Sequence, residues 1–214
     1  MLSIQTPIYK NKETIVKDII HTWKTKLHSS VDITEIEKID IDTREYIKNK
    51  FSSVLLYLEY GHLLEWLNNG LKTYYAIIIL FTLFSRSIYY NTRDIYKNDK
   101  KIFLFMEMGL EFYNITFDHT HDQSSLHYVL LLPFQLIENS IYQYQGKKII
   151  LNYLINEKNL KYKNMLRKLL YYQNKRIQLL KIFNRFPDHN ALLNREPTIQ
   201  EIDYLDELES LHLK

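Results

Sequence analysis

Gly70-Leu-Lys-Thr-Tyr-Tyr-Ala-Ile-Ile-Ile-Leu-Phe-Thr-Leu-Phe84 decides the fold. From Tyr74 to Phe84 it is apolar nearly all round, with Thr82 as its one polar residue. A helix of this kind has no solvent face and belongs at the centre of a core. The run is too short for the roughly 20 residues that cross a bilayer, so no membrane span is expected. Gly70 breaks the chain before it, and Lys72 and Arg86 flank it.

Helical periodicity continues on both sides. Upstream, Ile15, Ile19, Ile20, Trp23 and Leu27 recur at helical spacing, and Asp42 with Glu45 forms a start signal for a helix through Tyr46 to Tyr60. Downstream, residues 85–98 read as a polar and aromatic loop. Ile102, Phe105, Met106, Gly109 and Phe112 then share one face, and Gly109 would let a neighbouring helix approach closely. Ser125 to Tyr144 reads as one apolar helix in which Pro133 marks a kink or a start. Helices near 146–157 and 160–184 follow, then a last one opened by the capping box Thr198-Ile-Gln-Glu201. No strand pattern occurs. The expectation is a single all-α domain over residues 1–214, an irregular antiparallel helical array.

Composition narrows the chemistry. The 214 residues contain no cysteine, which excludes a disulfide scaffold, a thiolate metal site and a Cys nucleophile. Four glycines leave no material for a glycine-rich phosphate cradle. The first 17 residues lack the apolar core of a secretory signal, so a soluble, intracellular, cytoplasmic protein is expected. The net charge of +3 is modest, but its distribution is not. From Lys158 to Arg185 no acidic residue interrupts the basic ones, and Lys161, Lys168 and Lys175 recur every seven residues on one face. Such a face could track a nucleic-acid backbone or an anionic membrane surface, or stay solvated. The acidic stretch from Glu196 to Glu209 could instead fold over it. Asp118-His-Thr-His-Asp122 holds metal-ligand residue types without a third ligand at a recognisable spacing, and reads as a polar loop. No metal and no cofactor is expected.

The segment Phe183-Asn-Arg-Phe-Pro-Asp-His-Asn-Ala-Leu-Leu-Asn-Arg195, with Thr198 and Glu201 beyond it, resembles the C-terminal signature of the bacterial family known as domain of unknown function 924. Phe84, Arg86, Ile88 and Asp99 agree with a second region of that family, Pro133, Glu138 and Gln143 with a third, and Trp23 with an N-terminal element. The resemblance covers about residues 15–205. It implies a tetratricopeptide-like helical superhelix and brings no reaction with it. Ionisable family positions are lost at Thr82, Leu136 and Asn139, the family's His-Arg is Asp188-His189 here, and Asn184 and Asn194 replace glycines.

Two readings of the matching polar residues stay open. Arg86, Arg185 and Arg195 could offer forked donors to a carboxylate or phosphate, with Asp99, Glu138, Gln143, His189 and Asn190 completing a ligand pocket. Alternatively, Glu138 and Asp99 pair these arginines inside the fold. The favoured function is a non-catalytic module that binds a protein or peptide, partly because 18 tyrosines can furnish a groove. The alternatives are a small-molecule enzyme, possibly hydrolytic in reaction class, using Glu138 with the Arg185–Arg195 segment, and a nucleic-acid binder using the basic helix 158–185.

Overall fold

The structure is a computed structural model that describes residues 11–27, 39–115 and 125–212. Every regular element among the described residues is helical, and none is a strand. The chain divides into two compact units. The first takes the described residues up to Tyr90 and from Asp94 to Pro133. The second takes Asn91–Arg93 and the chain from Phe134 onward.

In the first unit, α1 (Lys12–Thr25) buries Val16, Ile19 and Trp23. Helix α2 (Ile41–Tyr57) has its cap two residues before the expected signal: Asp40, not Asp42, accepts a 2.8 Å bond from Thr43 N. Asp42 falls in the first turn, where its charge favours the helix dipole. Gly61, at φ +115°, kinks the chain ahead of α3 (Leu63–Leu67). Helix α4 (Leu71–Ile79) continues through a π-turn at Leu80–Phe84 into α5 (Ser85–Ile88).

The resulting 18-residue helix, Leu71–Ile88, is longer than the apolar run predicted. Its mean hydropathy of 1.3 would suit a membrane by length and composition. It is instead the core helix, 89% buried by the rest of the fold. Two of its buried hydroxyls bond the preceding turn: Thr82 Oγ1 donates to Ile78 O at 2.5 Å and Ser85 Oγ to Phe81 O at 2.6 Å. The expected loop at 85–98 also holds a 3₁₀ turn, Arg93–Tyr96.

Helix α6 (Asp99–Phe112) packs on α4 where Gly109 meets Tyr74. A Cβ on Gly109 would fall 2.0 Å from Tyr74 Cε2, so only glycine admits this ring. The Tyr74 hydroxyl then donates to Met106 O at 2.7 Å.

The predicted helix from Ser125 to Tyr144 is three pieces: a 3₁₀ segment Ser125–Leu131, α7 (Leu132–Leu136) and the start of α8 (Ser140–Asn156). Pro133 occupies the first turn of α7, where a missing N–H costs nothing. The chain opens at 137–139, and Asn139 caps α8 by accepting from Ile141 N and Tyr142 N.

In the second unit, residues 157–159 join α8 to α9 (Leu160–Phe183). Gln143 and Gln173 lie equally far from that link, and they touch: Gln173 Nε2 donates to Gln143 Oε1 at 2.6 Å and to Gln143 O at 2.9 Å. That pairing requires an antiparallel hairpin. After α9 come a 3₁₀ turn Pro187–His189, the short α10 (Asn190–Leu193) and α11 (Ile199–His212). The capping box is complete: Thr198 N donates to Glu201 Oε2 at 2.7 Å, and Glu201 N to Thr198 Oγ1 at 3.3 Å.

Candidate functional site

Two left-handed asparagines shape the C-terminal segment. Asn184 ends α9 at φ +57° and Asn194 ends α10 at φ +51°. These are the positions where the resemblance has glycines. Asparagine is the side chain that best tolerates this backbone region, so the departure preserves conformation. Between them the chain folds tightly enough to aim Arg185, His189 and Arg195 at two carboxylates.

Glu138, in the link between α7 and α8, receives the first set of donors. Arg195 Nη1 donates to Oε2 at 2.8 Å and Nη2 to Oε1 at 3.0 Å. Phe186 N donates to Oε1 at 2.8 Å, and His189 Nδ1 lies 3.5 Å from the same oxygen. Arg195 Nη2 also reaches Phe186 O at 3.0 Å. The Phe186 ring beneath is fully buried and meets His189 edge-on, with 5.2 Å between ring centroids. Burial alone would push the Glu138 carboxyl up. Hydrogen bonds from His189, Arg195 and Phe186 N outweigh it and hold the group at about 2. A catalytic acid or base at this position would need the opposite shift.

Arg185 serves the second carboxylate. Its Nε donates to Glu201 Oε1 at 2.6 Å and its Nη2 to Glu201 Oε2 and to Glu196 O. The Arg185 hydrogen bond is the main reason the Glu201 carboxyl also sits at about 2. The Glu201 side chain is almost fully covered. The Asn190 amide helps to lower the Glu201 carboxyl, yet neither amide atom has a bond of good geometry among the described residues, although Asn190 is only 2% exposed. Arg195 Nε is likewise orphaned. These atoms retain the unused hydrogen-bonding capacity of the segment.

The other predicted residues fall elsewhere. Arg86 and Asp99 lie in the first unit and pair with each other: Arg86 Nη2 donates to both Asp99 oxygens at 2.9 and 3.0 Å, with both residues buried. Gln143 is buried and donates to Phe134 O at 2.7 Å and Ile137 O at 2.9 Å, tying α8 to the open link before it. Lys161, Lys168 and Lys175 are exposed along α9. Helix α11 meets α9 near its C-terminal end, through Tyr204 against Phe183, and the three lysines stay exposed. Residues 118–122, with His119 and His121, lie outside the described residues. Among the described residues no three His, Asp or Glu side chains gather as metal ligands.

Sequence reasoning missed one polar cluster and one polar partner. Glu59 accepts from Tyr89 Oη at 3.0 Å and from Asn98 Nδ2 at 2.6 Å, and Lys97 Nζ lies 3.0 Å from it. These residues sit 30 to 39 positions apart, and no local motif announces them. Gln173 is the missed partner: it lies four residues from both Leu169 and Ile177 on the buried side of α9, and that spacing was the available signal.

Comparison with known proteins agrees with the fold. The family model described as "Bacterial protein of unknown function (DUF924)" matches residues 19–209. A solved structure of a protein of unknown function from Agrobacterium tumefaciens is similar over 92% of this chain and 99% of that one, at 20% identity and a TM-score of 0.66. At that identity the likeness carries the fold alone. No curated protein matches. The chain belongs to the DUF924 family.

Proposed function

We propose that this DUF924 member is a non-catalytic, tetratricopeptide-like scaffold that docks an acidic amphipathic helix of a partner protein on its α8–α9 hairpin. One observation carries the reading. Helix α8 buries Gln143, Gly146, Ile150 and Tyr153 on one side, and exposes Ile141, Tyr144, Leu151 and Ile155 on the other. The exposed four fall at positions i, i+3, i+10 and i+14, the spacing of a helix-packing seam. Ile141 is 67% and Ile155 78% exposed, a poor use of isoleucine on a face that ends in solvent among the described residues.

Charge specifies the partner. Between Ser140 and Phe183, Glu157 is the sole acidic residue, against Lys147, Lys148 and the basic run of α9. An apolar seam with a basic rim favours a helix bearing Asp and Glu beside its apolar stripe. The enzyme reading gains no support from Glu138 and Glu201, whose carboxylates are engaged by arginines and ionised far below neutrality. An intracellular location is part of the same proposal.

The test is fluorescence anisotropy with three labelled probes: a designed acidic amphipathic peptide, the same composition interrupted by proline, and a single-stranded RNA oligonucleotide. The helical peptide should bind, the proline version should not, and Ile155→Asp should weaken binding at least tenfold. Binding of RNA that falls steeply with salt and ignores Ile155→Asp would replace this reading with a nucleic-acid partner. No binding of the helical peptide would overturn the docking proposal.

A further inference from the structure

We propose that the first unit carries a binding site for a small organic polyanion, in the cavity between α1 and the start of α4. The half-open cavity measures about 720 Å³, room for a metabolite-sized ligand. Helix α1 contributes Lys12, Lys17, His21 and Lys24, and α4 contributes Lys72. Among the described residues Glu13 is the only carboxylate in the lining.

That carboxylate is already engaged. Lys17 Nζ lies 2.7 Å from Glu13 Oε1, and this bond, with the nearby Lys72 charge, holds the Glu13 carboxyl below its ordinary range. Lys12 stands over the Trp66 ring, 5.4 Å from its centroid. Neither Lys24 nor Lys72 has a carboxylate within ion-pairing distance among the described residues. Unpaired ammonium groups in one concavity repel one another and focus a positive potential there. A ligand with two or more negative charges relieves that repulsion, whereas a single carboxylate would not.

Two further features point to the same class of ligand. Asn69, Lys72 and Thr73 line the cavity where α4 begins, and the cap residue Gly70 has no side chain to offer the first N–H groups. The positive end of the core helix therefore adds to the lysine field. Val16, Ile20 and Leu126 add apolar surface to the lining. The combination suits an organic body carrying a cluster of phosphate or carboxylate groups at one end. This site shares no residue with the α8–α9 hairpin, so the two proposals stand or fall separately.

The test is calorimetric titration of the full chain at 150 mM salt with pyrophosphate and with ADP. Pyrophosphate should bind, ADP should bind more tightly through the apolar surface, and Lys24→Ala with Lys72→Ala should raise both dissociation constants at least tenfold. Both lysines are exposed, so the variant should melt like wild type without ligand. Lys161→Ala with Lys175→Ala, which removes the same charge from α9, should leave both constants unchanged. No heat with millimolar pyrophosphate, or an equal loss in both double variants, would overturn the site. Equal affinity for the two ligands would overturn the role of the apolar surface.

Discussion

Glu138 and Arg195, 57 residues apart in sequence, meet fork to fork at 2.8 and 3.0 Å, and the same carboxylate accepts Phe186 N. One side chain thus braces the link before α8 against the segment after α9. Both partners are about one-quarter exposed, so water screens part of the attraction.

Removing either partner leaves the other short of donors or acceptors. Glu138→Ala and Arg195→Ala should each cost roughly 2–3 kcal/mol, below the range of about 3–5 kcal/mol for fully buried pairs. The double variant should cost less than the sum, because each single change already breaks the shared bonds. Urea denaturation of the four proteins reads the coupling. Additive losses would mean that the pair does not brace the fold.

The same carboxylates set an acid limit. Glu138 and Glu201 sit at about 2 in the fold, against roughly 4.3 in an unfolded chain. Below pH 4.3 the unfolded state takes up protons first, so stability falls with pH. The contribution is complete above about pH 5, declines between 4.3 and 2, and is gone below 2. Glu138→Gln should flatten this part of a stability profile followed by urea midpoint. An unchanged slope would show that other groups govern acid unfolding.

Much of this architecture is legible in the sequence, for reasons that differ by element. Leu71–Phe84 announces a core helix because no polar face interrupts it. Its π-turn does not show, since periodicity reports side chains and not the hydrogen-bond register. The break at 137–139 hides because apolar residues continue across it, and Asn139 as a cap was the available signal. Asp40 and Asp42 are equally plausible caps, and only the extended backbone at Asp40 decides between them. Arg86, Arg185 and Arg195 could be marked as paired residues. Which carboxylate Arg185 and Arg195 meet depends on the turns at Asn184 and Asn194. The basic cavity does not show, because Lys12, Lys24 and Lys72 come from two helices and no single run of sequence gathers them.

Gly109 gives a sharper test of packing. Alanine gains about 1 kcal/mol of helix propensity over glycine. At this position its Cβ would overlap three Tyr74 ring atoms, all within 2.7 Å. Overpacking of this kind costs about 1–3 kcal/mol, so Gly109→Ala should destabilise despite the propensity gain. A lower thermal midpoint checks it. A midpoint at or above that of wild type would show that α6 can move away from α4.

The left-handed asparagines separate conformation from chemistry. If Asn184 and Asn194 matter for their backbone, glycine should serve as well at either position. Asn184→Gly and Asn194→Gly should then hold the thermal midpoint within a few degrees, each about 0.5 kcal/mol or less from wild type. Alanine lacks both the freedom of glycine and the local polar contacts of asparagine. Its left-handed penalty is about 1–2 kcal/mol, or several degrees for a chain of this size. The contrast should be larger at Asn194, because Arg195 follows directly and depends on that turn to reach Glu138. Asn194→Ala should therefore also weaken the acid dependence assigned to Glu138, whereas Asn184→Ala should act mainly on the end of α9. A glycine variant as unstable as its alanine counterpart would show that the asparagine side chains themselves hold the segment.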